Sequence, residues 1–327
     1  MSRYARQIAV PEFGPASQER LANASVLVVG AGGLAAPLLP YLAAAGVGEI
    51  RIVDPDRVEE SNLHRQTLFR VPDIGNAKAM VAADSLHALN PDCHVTPKVA
   101  ALGPANASRL CAGVDLVLDC ADSFAASYIL SDTCQQTGTP LISASVIGLA
   151  GYVGAFCGGG PSLRAIFPEL PGTLGSCAED GVLGPVVGVI GSLQAQFALS
   201  HLAGIAPGVG GRFIRFDAAT WRFAAFEFTG APEPEFRPRF IEPDAIDAGD
   251  FVVDLRAPEE GPILHPAARR HTASDFGQGG PVAEPGQRVV LGCRSGLRAW
   301  TAAQRLHSER PGPIALIALS TTNGDVT

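Results

Sequence analysis

Residues 26–66 read VLVVGAGGLAAPLLPYLAAAGVGEIRIVDPDRVEESNLHRQ, and this stretch decides the fold. The apolar, β-branched run at 26–29 is followed at once by Gly30, Gly32 and Gly33, which is typical of a buried parallel strand that turns into a helix. Glycines let a ligand approach the backbone closely, and the unpaired N–H groups at the start of a helix favour an anion. The stretch therefore predicts a phosphate-binding turn.

Polar residues beyond this turn indicate what kind of nucleotide chemistry the site supports. A second predicted strand, 49–53, ends in Asp54, where a carboxylate can bond the ribose hydroxyls of a nucleotide. Ala35 replaces the last glycine of the dinucleotide fingerprint, which fits a mononucleotide site as well as an imperfect dinucleotide site. Arg65 and Lys78 follow, and such cations suit the splitting of a triphosphate better than a hydride transfer. Adenylation is favoured, and an NAD-dependent oxidoreductase stays open as the less favoured alternative.

The rest of the first 230 or so residues predicts an α/β fold with a Rossmann-like, doubly wound, mostly parallel sheet. Predicted strands at 95–101, 115–120 and 141–144 alternate with helices, as such a sheet requires. A strand over 147–156 and a closing hairpin over 213–228 predict an antiparallel extension of the same sheet.

Two further residues are candidates for chemistry, each with a purely structural alternative. Asp122 follows the strand at 115–120, at the sheet edge where ligands bind, so its carboxylate can hold Mg²⁺ against phosphates. A helix N-cap explains Asp122 about equally well. Cys177 stands before a long predicted helix over 184–202, and a thiol near a helix N-terminus becomes a nucleophile more easily. An inert, buried cysteine is the commoner case.

Composition indicates a soluble, mildly acidic protein. Of the 327 residues, 47% are hydrophobic and 17% are charged, and the formal charge is −8. This length suffices for two domains, and the lack of a basic stripe speaks against nucleic-acid binding. We expect no secretory signal, and no membrane span because the apolar stretches at 146–160 and 182–205 are interrupted. Seven cysteines without a C-x-x-C pair indicate reduced thiols in a cytoplasmic protein.

The C-terminal region carries a second motif with chemistry. A linker rich in proline and charge is predicted over 230–243, followed by strands at 251–255 and 288–291 and a helix at 299–310. The second of these strands leads into a loop that can wrap backbone N–H groups around a sulfur between two arginines, which suits a thiolate or persulfide. The loop consists of Cys293, Arg294, Ser295, Gly296, Leu297 and Arg298. A phosphatase uses similar geometry but needs an acid ahead of the loop, and it is a minor alternative.

The first 230 or so residues resemble the ubiquitin-activating-enzyme superfamily, in particular its ThiF/HesA-type adenylyltransferases of molybdopterin and thiamine biosynthesis. The matching motifs are RYARQI (3–8), GAGGLA (30–35), DPDRVEESNLHRQ (54–66), IGNAK (74–78), DLVLDCADS (115–123) and SCAEDGVLGPVVGVIGSLQA (176–195). The resemblance implies ATP-dependent adenylation of the C-terminal Gly-Gly carboxylate of a ubiquitin-like sulfur carrier. The ATP-binding residues that it implies are Arg6, Gly30, Gly32, Gly33, Asp54, Ser61, Asn62, Leu63, His64, Arg65, Lys78, Asp122 and Ser123.

The resemblance also assigns roles within this set. Arg65 and Lys78 stabilise charge as the triphosphate is split, and Asp122 binds Mg²⁺. Arg6 reaches the triphosphate of the other subunit in a homodimer, and Cys177 is the position of the family's thiol. Many relatives hold a structural zinc with two C-x-x-C pairs, but SLRA (162–165) stands at the first pair here and no second pair follows, so we expect no structural zinc.

The C-terminal region resembles a shortened rhodanese domain. The predicted division is an adenylyltransferase domain at 1–229, a linker at 230–243 and a rhodanese-like domain at 244–327. A persulfide on Cys293, supplied for example by a cysteine desulfurase, is expected to attack the acyl-adenylate, so that the carrier ends as a thiocarboxylate in a molybdopterin, thiamine or thiolation pathway. Departures from the family pattern, such as Ala35 and Ser123, leave a non-catalytic carrier-binding scaffold as an alternative.

Overall fold

Two β-sheets organise the structure, a computed structural model that describes residues 3–168, 181–276, 280–281 and 283–320. The N-terminal unit contains, in chain order, α1 (Ala5–Ile8), α2 (Gly14–Asn23), β1 (Ser25–Val29), α3 (Ala35–Ala45), β2 (Glu49–Val53), α4 (Lys78–Leu89), β3 (His94–Lys98), α5 (Ala107–Cys111), β4 (Leu116–Asp119), α6 (Phe124–Thr137), β5 (Pro140–Ile147), β6 (Ala150–Cys157), α7 (Leu163–Ile166), α8 (Gly184–Ala203), β7 (Arg212–Asp217) and β8 (Arg222–Glu227). The C-terminal unit contains β9 (Arg239–Phe240), β10 (Phe251–Asp254), β11 (Arg269–Arg270), β12 (Val289–Cys293), α9 (Leu297–Glu309) and β13 (Ile314–Ala318).

The first sheet has the strand order β3-β2-β1-β4-β5-β6-β7-β8. Neighbouring strands are parallel from β3 to β5 and antiparallel from β5 to β8. This confirms the predicted doubly wound sheet with its antiparallel extension. The strand order reverses at β1, between β2 and β4, and ligands bind in such folds at the carboxyl ends of the strands beside this reversal.

Strand β1 lies at the centre because its side chains are apolar on both faces. Val26 and Val28 pack into the cluster formed with α3, α4 and α8, whereas Leu27 and Val29 pack into the cluster on the opposite face with α5 and α6. A strand buried on both faces reads as a continuous hydrophobic run, and this is the run that the sequence shows. The packing therefore fixes the position of the glycine turn that follows β1.

Several boundaries differ from the sequence-based expectations. No bounds were predicted for the helix after Asp122, which is α6, and the strand expected over 147–156 starts at Ala150, while Ile147 ends β5. Helix α3 contains two prolines, Pro37 and Pro40. Pro37 lies in the first turn, where helical N–H groups have no partner within the helix, so the fully internal proline is Pro40.

The second sheet is parallel throughout, with the strand order β11-β10-β12-β13-β9. Strand β9 lies within the range predicted as a linker, where it pairs with β13 through Phe240 and Leu316. Residues 239–240 are therefore part of this sheet, which the linker prediction did not foresee. The domain boundaries otherwise remain a prediction.

Helix α8 is the one described helix that is long and apolar enough to cross a membrane, although we expected no membrane span. Its apolar window is 56% buried inside the protein, where it packs on α3 and on β5 and β6. A core helix of a soluble protein passes the same test of length and composition, and burial on the sheet favours that interpretation here.

Candidate active site at the carboxyl edge of the first sheet

The glycine turn after β1 is held against the end of β4. Gly30 has a φ of +93°, and a Cβ at this position would lie 2.6 Å from the carbonyl oxygen of Cys120. A Cβ on Gly32 would have only the Nε2 of Gln66 nearby, at 3.6 Å. The protein's own packing and backbone conformation thus require glycine at position 30. At position 32 the neighbouring space is open, which would let a ligand approach the backbone closely.

This difference predicts separable effects of two alanine substitutions. Gly30→Ala is expected to destabilise the fold by at least about 2 kcal/mol, because it adds a strained left-handed residue and a backbone clash. Gly32→Ala is expected to keep the melting temperature within about 2 °C but to weaken ATP binding at least about tenfold. Thermal unfolding and calorimetric ATP titration measure the two effects. Equal destabilisation by both substitutions would contradict the assignment of Gly32 to ligand binding.

Asp54 has a role at this turn that the sequence did not reveal. Its buried carboxylate accepts hydrogen bonds from the backbone N–H groups of Ala31 and Asp56, both at 2.7 Å. Burial raises the pKa of Asp54 despite these two hydrogen bonds. Asp54 therefore ties β2 to the glycine turn, and the remaining acceptor capacity of its oxygens is what a ribose hydroxyl could use.

The two predicted cations lie on segments that border the turn. Arg65 packs against it, since a Cβ on Gly33 would lie 3.7 Å from the Arg65 Cγ. The Arg65 guanidinium donates to the carbonyl oxygen of Ser61 at 3.0 Å. Lys78 starts α4 with a buried side chain, and its Nζ is 2.9 Å from the Oδ2 of Asp56. Asp54 also binds the Asp56 backbone, so the position of Lys78 is coupled to that of the turn.

The segment between these cations holds two buried side-chain oxygens without protein partners. They are Oδ1 of Asn62 and Oε1 of Gln66, unpaired among the residues that the structure describes. Buried polar atoms of this kind are rare, so both are suited to accept a ligand's hydrogen bonds. Asn62 was predicted as a site residue, whereas Gln66 was not, although its position next to Arg65 was a signal in the sequence.

The structure offers less support for ligand binding by the other residues predicted in this segment. The Ser61 hydroxyl donates to Glu59 at 3.2 Å, and Leu63 packs against the core. His64 is exposed, with its Nε2 at 2.9 Å from Arg65 Nη1. Their roles in nucleotide binding stay predictions.

Asp122 and Ser123 follow β4 at the same edge. Asp122 is exposed, and the backbone of Cys120 and Ala121 lies against Gly30. The N-cap of α6 is Ser123, whose hydroxyl accepts from the Ala126 N–H at 3.5 Å. The structural alternative for Asp122, a helix N-cap, is therefore wrong, and Asp122 is an exposed residue that directly follows the backbone lying against Gly30.

Asp119, which ends β4, gives the protein a specific pH dependence. It is fully buried and accepts hydrogen bonds from Ser143 Oγ at 2.7 Å and from Ala121 N at 3.1 Å. Burial raises its pKa from 3.8 to about 6. Between these two values the folded state retains a proton that the unfolded chain has lost, so this group's contribution to stability falls as the pH rises.

We therefore expect the stability of the wild type, relative to Asp119→Asn, to fall by up to about 3 kcal/mol between about pH 4 and pH 7. Urea unfolding of both proteins across this range measures the difference. Comparison with the variant removes the contributions of all other titrating groups. A pH-independent difference would contradict a raised pKa at Asp119.

The C-terminal unit presents the loop that follows β12. Cys293 is fully buried, and the Gly296 N–H donates to its Sγ at 3.1 Å. Gly296 is the N-cap of α9 and has a φ of +86°. Arg298 forms two hydrogen bonds, of 2.7 and 2.6 Å, with Glu260, and this pairing lowers the Glu260 pKa to about 2. One backbone N–H of the loop thus binds the thiol, with Arg294 and Ser295 exposed and Leu297 starting α9, and the role of the loop in holding a persulfide stays a prediction.

Two other predicted features need a brief account. Cys177 lies outside the residues that the structure describes. At SLRA (162–165), Glu233 accepts hydrogen bonds of 2.6 Å from both the N–H and the hydroxyl of Ser162. Within the described ranges, no group of three or more His, Cys, Asp or Glu residues could hold a metal ion. The lack of a structural zinc stays a prediction.

The strand order and the glycine turn at the carboxyl edge define a Rossmann-like α/β protein. The chain belongs to the ThiF family, whose model matches residues 4–237. This agrees with the resemblance noted from the motifs of the N-terminal unit.

Two relatives and one solved structure extend this finding. The chain is 43% identical over 227 residues to the "Adenylyltransferase and sulfurtransferase MOCS3" of Drosophila grimshawi, covering 68% of this chain and 51% of that protein. It is 40% identical over 235 residues to the "SAMP-activating enzyme E1" of Haloferax volcanii, covering 71% of this chain and 87% of that protein. The chain thus spans about half the length of the MOCS3 relatives that it matches. A crystal structure of E. coli MccB with ATP has the same fold, with a TM-score of 0.61 at 20% identity, over 69% of this chain and 71% of MccB.

Proposed function

We propose that this chain uses ATP to adenylate the C-terminal Gly-Gly carboxylate of a ubiquitin-like sulfur carrier, and that Cys293 then supplies sulfur to form a thiocarboxylate. The observation that carries the proposal is the presence, in one chain, of an open phosphate-binding turn bordered by cations and of a thiol held by the Gly296 N–H. The names of relatives in Drosophila grimshawi and Yarrowia lipolytica include both adenylyltransferase and sulfurtransferase, which supports both halves of the proposal.

In the first step, an oxygen of the carrier carboxylate attacks the α-phosphorus of ATP. The bond between the α-phosphorus and the bridging oxygen breaks, pyrophosphate leaves with that electron pair, and the carrier becomes an acyl-adenylate. Arg65 and Lys78 are placed to stabilise the charge that grows on the phosphates. The carboxylate of Asp122 is a ligand type that Mg²⁺ accepts alongside phosphate oxygens and water, so this residue fits the ion. When bound there, Mg²⁺ would neutralise phosphate charge.

In the second step, a persulfide on Cys293 attacks the carbonyl carbon of the acyl-adenylate. AMP leaves, and an acyl disulfide joins the carrier to Cys293. A thiol of a small reductant or of the protein then attacks the Cys293 sulfur, which releases the carrier thiocarboxylate and leaves a disulfide on Cys293. A second thiol restores the Cys293 thiol. The persulfide comes from a sulfane donor such as a cysteine desulfurase or thiosulfate, which loses sulfite when a thiolate attacks its outer sulfur.

A homodimer in which Arg6 reaches the partner's triphosphate completes the proposed site. Arg6 is exposed on α1, and Gln7 next to it donates to the carbonyl oxygen of Ala45 at the end of α3. Helix α3 has 11 residues, about 16 Å of length, and the glycine turn lies at its other end. This distance supports action on another chain. A groove between α3 and α8, lined by Tyr41 and Val189 among others, offers an apolar surface for the partner.

Incubation with ATP, Mg²⁺, thiosulfate, a dithiol and a purified Gly-Gly carrier tests the whole proposal. We expect AMP and a carrier thiocarboxylate, identified by mass spectrometry, and neither product with a carrier that lacks its last glycine. AMP formation without any change in the carrier would refute the sulfur step.

We place this activity in the cytoplasm because the thiols that it needs stay reduced there.

A further inference from the structure

The two units meet at an aromatic junction formed by Phe124, Tyr128, Phe240 and Trp300. The Phe124 ring centroid is 5.5 Å from that of Trp300 and 5.9 Å from that of Phe240. The Tyr128 ring is 5.1 Å from Trp300. All but Phe124 are buried, and edge-to-face packing of this kind adds to the energy of burial. Helix α6 of the N-terminal unit therefore packs directly on β9 and α9 of the C-terminal unit.

A buried arginine fixes this aromatic junction further. Arg164 lies with its guanidinium carbon 4.8 Å from the ring centroid of Tyr128 and 5.1 Å from that of Trp300. It donates to both carboxylate oxygens of Asp132, at 2.6 and 2.8 Å, and to the carbonyl oxygen of Pro238 at 3.0 Å. Because Pro238 leads into β9, these bonds connect the N-terminal unit to the first strand of the other unit. Such an arrangement favours one fixed orientation of the two units.

Each side of the aromatic junction borders one of the two reactive segments. Phe124 stands two residues after Asp122. Phe240 contacts Gly296, where a Cβ would lie 2.8 Å from its ring, and the Gly296 N–H binds the Cys293 sulfur. The backbone of Ala121, three residues before Phe124, lies against Gly30, and three residues of chain span at most about 11 Å. A continuous series of contacts, from Phe124 to Phe240 and from Phe240 to Gly296, therefore connects the segment after β4 with the Cys293 loop.

We infer that Phe124, Phe240 and Trp300 are positioning residues that hold the Cys293 loop beside the nucleotide edge of the same chain, so that sulfur transfer occurs in cis. This inference rests on the proposed function. A fixed neighbour acts at a high effective concentration, so an acyl-adenylate would meet the persulfide of its own chain before that of another. The outer sulfur of a persulfide extends about 2 Å beyond the buried Sγ, between the backbone N–H groups of the loop.

The test combines two inactive chains. Asp122→Ala removes adenylation and Cys293→Ser removes the persulfide, and the two variants are co-expressed with different tags and purified through both. Thiocarboxylate is then measured with carrier, ATP, thiosulfate and dithiol. We expect the mixed preparation to form product at least about 20-fold more slowly than the wild type. Formation at about half the wild-type rate would overturn transfer in cis and show that the persulfide acts on a neighbouring chain.

The wild type provides a second readout that needs no mixed preparation. At enzyme concentrations where the chain is fully dimeric, the rate of thiocarboxylate formation per chain is expected to be independent of enzyme concentration, and a rate that still rises with concentration there would also overturn the inference. If the wild type forms no thiocarboxylate at all, the proposed function is refuted. If the mixed preparation forms it at about half the wild-type rate, only the inference of transfer in cis is refuted.

A junction variant addresses the positioning residues directly. Phe124→Ala is expected to lower the ratio of thiocarboxylate formation to pyrophosphate exchange at least about tenfold, and Phe124→Tyr to restore it, because a ring refills the space. Phe226→Ala is the matched control, since Phe226 is an aromatic residue on β8 that stacks on Phe213 at 4.8 Å. An unchanged ratio in Phe124→Ala would remove Phe124 from this role.

Discussion

Replacing Asp122 with alanine is expected to lower carrier-dependent exchange of labelled pyrophosphate into ATP at least about 100-fold. Asp122 is exposed three residues after β4, next to the backbone segment that lies against Gly30, and Ser123 rather than Asp122 caps the following helix. The substitution therefore removes charge from the site without removing a helix cap. Asp122→Asn keeps the size of the side chain but not its charge, so it is expected to be nearly as inactive.

The matched control for Asp122 is Asp84→Ala, which removes an exposed carboxylate from α4. Exchange by this control is expected to stay within about twofold of the wild type, as for an ordinary surface substitution. Exchange that survives in Asp122→Ala within a few fold would show that Asp122 has no part in the adenylation step. The assignment of Mg²⁺ to this carboxylate would then fail as well.

Replacing Cys293 with serine is expected to abolish thiocarboxylate formation, because a hydroxyl cannot hold a sulfane sulfur. The carrier acyl-adenylate should accumulate in its place. Mass spectrometry of the carrier measures both species, and thiosulfate-dependent release of sulfite measures loading of the loop independently of the carrier.

Cys93→Ser is the matched control for Cys293. Cys93 is buried, and burial raises the pKa of its thiol to about 11, so it stays protonated and unreactive. This variant is expected to form thiocarboxylate as the wild type does. If Cys293→Ser still forms thiocarboxylate, Cys293 is not the sulfur donor. Another thiol must then carry the sulfur, and Cys177 would be the first residue to substitute.

Local patterns were enough to predict the central parallel sheet and its glycine turn. The run at 26–29 is apolar on both faces of a strand, and Gly30 follows at the point where the chain must turn beneath the end of β4. Asp54, Arg65 and Lys78 were chosen as candidates because each stands at a fixed place relative to a strand or turn, and their part in nucleotide binding stays a prediction. The C-terminal loop could be recognised for a similar reason, because Cys293 and the backbone N–H that binds it are only three residues apart in the sequence.

The features that sequence reasoning missed depend on contacts between distant segments. Strand β9 consists of two residues and is a strand only because β13 lies beside it. The hydrogen bond from Ala31 to Asp54 and the buried, unpaired oxygen of Gln66 become visible only when the folded segments lie side by side. Phe124 and Trp300, which meet in the aromatic junction, are 176 residues apart in the sequence. No periodicity in the sequence indicates such a pairing.

The central claim is that this chain activates a carrier's carboxylate, and carrier-dependent pyrophosphate exchange by the wild type tests it most directly. The measurement compares ATP labelling with an intact Gly-Gly carrier, with a carrier that lacks its last glycine, and with no carrier. The account predicts rapid labelling with the intact carrier and background labelling in the other two reactions. Tight binding of the intact carrier without any labelling would contradict it and identify the protein as a carrier-binding scaffold.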